Sequence, residues 1–87
     1  MTKKYIVKVN NNFWIKYTDH SGIFHGGRTQ LTKNKNEARM FTRVNDANNK
    51  VSTHKFRYEA YEFERSHYKK KYNIISTPTF NVEKIMM

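Results

Sequence analysis

Four histidines and one Asp-His-Ser string are the residues of this chain that most invite a chemical reading. His20, His25, His54 and His67 stand at no helical i,i+4 spacing and have no carboxylate at ligand distance along the chain, so a metal centre is not expected. Asp19-His20-Ser21 has the residue types of a hydrolytic triad, but contiguous side chains diverge and cannot pass a proton along one line. Acidic residues are few for a metal-dependent nuclease, and no paired-carboxylate spacing stands out. No catalytic residue and no cofactor is expected, and the chain reads as a binding protein rather than an enzyme.

Binding chemistry is more prominent. The 87 residues carry 17 Lys and Arg against 7 Asp and Glu, a formal charge of +10, with six Tyr, six Phe and one Trp interleaved. Such an excess sets up a positive potential whose natural partner is an anion: DNA, RNA, a nucleoprotein or an acidic protein face. Residues 1–43 hold nine basic and two acidic side chains, and residues 44–87 hold eight and five. The visible run Lys69-Lys70-Lys71 is therefore not where most of the imbalance lies. Lys8, Lys16, Arg28, Arg39 and Arg43 contribute more of it, beside Trp14.

On alternating strands Lys8, Trp14 and Lys16 share one face, opposite Tyr5, Val7, Phe13, Ile15 and Tyr17. Two placements of the indole follow. It stands open between lysines as a stacking platform for a base or a guanidinium, or it packs beneath the 44–72 segment while the lysines solvate the rim. Arg28 follows Gly26-Gly27, where a guanidinium and loop amides could meet a phosphate, although an ordinary turn explains the same residues. Lys69-Lys71 at a helix end complements the macrodipole and would add salt-sensitive, sequence-blind phosphate affinity.

Elements that would position these residues can be read from the same sequence. Tyr5, Val7 and Val9 alternate with Ile6, Lys8 and Asn10; after Asn10-Asn11-Asn12, Phe13, Ile15 and Tyr17 alternate again. The pattern is a β-hairpin with a turn of residues that tolerate left-handed backbone. Asp19-His20-Ser21-Gly22 and Gly26-Gly27 read as turns around Ile23-Phe24, and Thr29-Gln30-Leu31 as a strand segment. Asn34 three residues before Glu37 has capping-box spacing and predicts a short helix over 35–41, with Thr42 capping a second one. Phe80, Val82 and Ile85, after the helix-blocking Pro78, predict a last strand returning to the hairpin.

Residues 44–72 contain no Gly or Pro and could form one long helix. Ala47, Val51, His54, Tyr58, Tyr61, Tyr68 and Tyr72 would then line one face, and Phe56, Ala60, Phe63 and His67 nearly the opposite one. A small domain buries one stripe of a helix. A break near 54–57, or a projecting helix whose spare aromatic face meets another molecule, is therefore expected. Phe56 and Phe63 are the candidates for that face, and a second copy of the chain for one of its partners. The expected whole is a single α+β domain over residues 1–87, with an N-terminal antiparallel hairpin, a short helix, a longer helical segment and a C-terminal strand. No cysteine is present, so a disulfide scaffold is excluded. The N-terminal residues lack a signal peptide's apolar run, and cytoplasmic residence is the expectation.

Tyr5-Ile6-Val7-Lys8-Val9-Asn10, an aromatic strand, Leu31-Thr32 and Asn36-Glu37-Ala38-Arg39-Met40-Phe41-Thr42 together resemble small accessory, early-gene proteins of bacteriophages of low-GC Gram-positive bacteria. The abundance of Asn, Lys, Tyr and Ile fits an AT-rich source of that kind. The resemblance covers about half of the chain, assigns no functional residue, and has no counterpart for 44–72. It implies a non-enzymatic inhibitor, of the anti-CRISPR type among others, acting in the host cytoplasm on a bacterial nuclease or ribonucleoprotein. A chain of this charge cannot mimic DNA, so it would bind guide RNA, a DNA-bound state or an acidic patch. The alternative function is that of a sequence-nonspecific DNA- or RNA-binding accessory protein.

Overall fold

The structure, a computed structural model, describes residues 3–18 and 29–86. The expected turns at 19–22 and 26–27, with Ile23-Phe24, His20, His25 and Arg28, lie outside the described residues. Strands β1 (Lys3–Val9), β2 (Phe13–Thr18), β3 (Thr29–Thr32) and β4 (Phe80–Met86) form one antiparallel sheet in the order β3-β2-β1-β4. Helices α1 (Val44–Ala60) and α2 (Glu62–Tyr72) cover one of its faces. This is the α+β architecture that the residue pattern predicts, including the hairpin and the returning last strand. Asn10 takes the left-handed conformation (φ 55°) at the hairpin turn.

Val7, Val9, Phe13, Ile15 and Leu31 point toward the helices and pack with Tyr58, Tyr68, Ile74 and Phe80 in one core. Tyr68 is fully buried, its ring 5.5 Å from that of Tyr58 and 6.4 Å from that of Phe80. Such rings supply much of the burial available to a chain this small.

Alternation alone would leave Ile6 exposed, yet it is wholly buried, as is Val7 on the other face. The cause is a segment that crosses the outer face of the sheet. Asn34 caps as its spacing predicts: its side chain accepts from the Asn36 N–H at 3.0 Å and donates to Glu37 at 3.1 Å. Only one 3-10 turn follows, Lys35–Glu37, in place of a helix over 35–41. Beyond it the backbone is taken up by the sheet. The β1–β2 ladder is confined to Lys8↔Trp14 and Val9↔Phe13. Where the strands then part, the Arg39 N–H donates to the Ile15 carbonyl (3.0 Å), and Tyr5 and Phe41 exchange two backbone bonds of 2.8 Å. Residues 39–41 thus wedge between β1 and β2, and intrahelical hydrogen bonding there is forfeited.

Helix α1 starts at Val44, with Arg43 rather than Thr42 at the N-cap and no side-chain cap bond. The 44–72 segment does break, at Tyr61 and not at 54–57. Arg65 fixes the break, donating from Nη1 to the carbonyls of Tyr58 (2.8 Å) and Glu59 (2.7 Å), which α1 leaves free at its C-terminus. Helix α2 ends at Asn73, left-handed at φ 56°, whose N–H returns to Lys69 and Tyr68. No helix among the described residues is long and apolar enough to cross a membrane.

Candidate interaction surface

The break at Tyr61 gathers the aromatic residues that a continuous helix would have spread apart. Tyr61 is extended (φ −115°, ψ 115°), so its ring turns out of the predicted buried stripe and sits between two neighbours. Phe56 meets it edge-on at 6.1 Å, and Phe63 stacks on it at 5.2 Å with 14° between planes. The Arg57 guanidinium lies 5.7 Å from the Tyr61 ring and 6.0 Å from the Phe63 ring, a cation–π arrangement on both. Phe56 is 61% exposed and Tyr61 39%. Glu59, Glu62 and Lys55 are exposed nearby in sequence. An aromatic centre with a mixed-charge surround is the anatomy of a protein contact.

Rigidity comes to this cluster from a buried polar set beneath it. Arg57 Nε donates to Glu64 Oε2 at 3.0 Å. Glu64 is fully buried and also accepts from the Thr29 N–H (2.8 Å) and the Thr29 hydroxyl (2.6 Å). Thr29 Oγ1 in turn lies 3.2 Å from His54 Nδ1, and the His54 ring stacks against Phe80. Burial pushes the His54 pKa down to about 4, assisted by Arg57 and Lys50 and opposed by Glu64. His54 is therefore neutral near pH 7 and structural in role. Burial, and after it the Glu64 charge, pushes the Tyr68 phenol well above its ordinary range. Among the described residues no group of three or more His, Asp or Glu is placed to hold a metal ion.

Of the basic residues singled out from the sequence, Lys8 and Lys16 lie on the opposite layer and Lys69–Lys71 at the end of α2, while Arg39 sits between β1 and β2 and Arg43 is the N-cap of α1. Lys8 and Trp14 are directly opposed in register on the outer sheet face, away from the helices. Trp14 is neither an open platform nor packed under 44–72. It is half-buried, its Nε1–H donates to Glu83 at 2.9 Å, and Lys35 Nζ lies 5.6 Å from the ring centroid. Lys35 also ion-pairs with Glu83. That ammonium, and after it the indole N–H, holds the Glu83 carboxyl below its ordinary range. Lys16 is 3.5 Å from Glu37. Among the described residues only Lys16, Lys35 and Arg57 have a carboxylate partner, leaving Lys8, Arg39, Arg43 and Lys69–Lys71 without one. Arg39 lies over the Phe41 ring at 5.2 Å, and Lys71 donates to Gln30 at 2.7 Å.

The structure thus brings Phe56 and Phe63 together through Tyr61, and Lys8 together with Trp14. It does not bring the two groups together, since the two-layer fold puts them on opposite sides. Tyr61, Arg57 and Lys35 were missed as site residues. Helical periodicity places Tyr61 in the buried stripe, and Lys35 reaches Trp14 only because the 35–41 segment crosses the sheet. No family model, no curated protein and no solved structure matches the chain.

Proposed function

We propose that this chain acts by binding, as a phage-type inhibitor that docks on a bacterial defence or host nucleoprotein. The observation that carries the reading is the Phe56–Tyr61–Phe63 cluster, solvent-facing yet held in place by Arg57 and the buried Glu64. Exposed aromatic side chains already fixed in position lose little entropy on association, which makes them efficient anchors for a protein surface. The cations on the outer sheet face and at the end of α2 that have no carboxylate partner among the described residues would attract the nucleic-acid component of the same partner.

The test is affinity capture from a susceptible bacterial host, with and without nuclease, using the wild-type chain and Phe56→Glu. One dominant protein or ribonucleoprotein retained by wild type, surviving nuclease and lost with Phe56→Glu, is the expected outcome. Recovery of nucleic acid alone, equally with both chains and falling steeply with salt, refutes it. That result would support the alternative of a nonspecific nucleic-acid-binding accessory protein.

A further inference from the structure

The two edges of the sheet are treated differently. At β3 the Tyr72 hydroxyl closes the edge: it accepts from the Leu31 N–H at 2.8 Å and lies 3.3 Å from the Leu31 carbonyl. β4, the other edge, runs seven residues, Phe80–Met86, and pairs only with β1 among the described residues.

Register shows which backbone groups of β4 are unused. Tyr5 directs both its N–H and its carbonyl to Phe41, hence away from its β4 partner Lys84. In an antiparallel ladder a residue whose opposite number points away also points away. The N–H and C=O groups of Phe80, Val82, Lys84 and Met86 therefore face outward, and those of Asn81, Glu83 and Ile85 face β1. The Asn10 N–H to Thr79 carbonyl bond, 2.9 Å, has the same parity and confirms the phase. Among the described residues no side-chain or backbone hydrogen bond reaches the outward set.

We propose that the free edge of β4 is a strand-addition site for an extended, acidic segment of a partner protein. The inference concerns a different surface from the aromatic cluster and does not rest on that reading. Backbone pairing along an open edge supplies affinity, and side-chain chemistry beside it supplies selection. The chemistry here is cationic. Lys84 lies on the edge strand, Lys3 and Lys4 oppose Met86 and Ile85 on the next strand, and the one acid, Glu83, is already neutralised by Lys35. A second copy fits poorly. Self-pairing centred on Lys84 sets two ammonium groups side by side, and centring on Val82 brings Pro78, which has no N–H, opposite Met86.

The experiment follows amide exchange by NMR in the full chain, with labelled peptides of about ten residues, the length of a long strand, that alternate Val or Thr with either Glu or Lys. In the free protein the Val82 and Lys84 amides should exchange fast and those of Glu83 and Ile85 slowly. The Glu peptide should slow Val82 and Lys84 by ~10-fold or more while leaving Glu83 unchanged, and the Lys peptide should do neither. Val82→Pro removes an outward N–H that β1 does not use, and should abolish binding of the Glu peptide. Lys84→Glu should weaken that peptide ~3-fold or more and needs no backbone change, so it serves even where the proline variant unfolds. Val82 and Lys84 remaining unprotected at saturating peptide, equal affinity for both peptides, or a free chain that is already dimeric with these amides protected would each overturn the proposal.

Discussion

Removing the Glu64 carboxylate should be the most damaging single change that leaves every apolar contact of the sheet in place. Glu64 is fully buried and serves three donors: the Thr29 N–H at 2.8 Å, the Thr29 hydroxyl at 2.6 Å and Arg57 Nε at 3.0 Å. Glu64→Ala takes the shared acceptor from all three, one of them a cation whose side chain is only 13% exposed. Truncating one partner of a buried ion pair costs about 3–5 kcal/mol, because the other charge stays buried without compensation. A domain of this size has a total stability of roughly 4–13 kcal/mol, so the variant would lie near or below the folding threshold. With an unfolding entropy of roughly 0.2 kcal/mol/K for such a chain, the thermal midpoint should fall by about 15–25 °C.

Circular dichroism melts, with urea titrations at 25 °C as a second axis, would read this directly. Glu64→Gln, which keeps volume and one acceptor, should lose less than Glu64→Ala. In an Arg57→Met background the additional loss from Glu64→Ala should shrink by about 1–3 kcal/mol, since the charge that the carboxylate neutralises is gone. A fall of only a few degrees for Glu64→Ala, or strict additivity with Arg57→Met, would refute the view that Glu64 ties α2 to Arg57 of α1 and to Thr29 of β3.

Acid should destabilise the fold through His54, whose folded pKa lies near 4 against an ordinary 6.5. The unfolded chain binds the proton more tightly, so stability is complete above about pH 6.5 and declines toward pH 4 by up to ~3 kcal/mol. Urea midpoints for wild type and His54→Phe at pH 7, 5.5 and 4.5 separate this from the carboxylates; parallel slopes would eliminate His54 as the cause. Tyr72→Phe removes the hydroxyl that closes the β3 edge, and should cost about 1 kcal/mol while accelerating exchange of the Leu31 amide, with unchanged exchange counting against it. Lys35→Ala should uncover Trp14, the single tryptophan, red-shifting its emission and raising acrylamide quenching while stability moves by less than about 1 kcal/mol. An unchanged spectrum would mean that the ammonium does not roof the indole.

What could be read along the chain was whatever depended on near neighbours. Two runs of alternating side chains around Asn10–Asn12 specify the hairpin, and Pro78 with Phe80 and Val82 specifies a strand that blocks helix behind it. Asn34 caps a turn through the Asn36 N–H and its side-chain amide meets Glu37, yet the reciprocal backbone bonds of a capping box are not made and no helix grows. The amides of Arg39 and Phe41 find carbonyls on Ile15 and Tyr5, more than twenty positions away, and no local propensity encodes that competition. The break at Tyr61 has the same origin: without Gly or Pro, it is set by Glu64 reaching Thr29 and by Arg65 turning back onto α1. Period-two alternation puts Trp14 on the outer sheet face, where it lies, but its Lys35 roof depends on the crossing of 35–41. Site residues were legible by type; their grouping depended on tertiary contacts.

That grouping changes what the positive charge can do. Spread over one concave face, a charge of +10 would describe a groove for a duplex. Here the sheet's outer face presents Lys4, Lys8, Lys16 and Lys35, with Glu37 and Glu83 pairing two of them. The helical layer ends in Lys69, Lys70 and Lys71 on the other side of the core, and Lys84 stands on the β4 edge. Charges so dispersed act together only at distances comparable to the molecule, where they raise encounter rates with any polyanion and decide little about where it binds. On the proposed readings, discrimination comes from short-range features that the fold holds rigid: the Arg57-backed aromatic cluster on one layer and the outward-facing backbone of β4 at the sheet's edge. Raising salt should therefore slow association with the proposed nucleoprotein partner far more than it hastens dissociation, and Phe56→Glu should do the reverse.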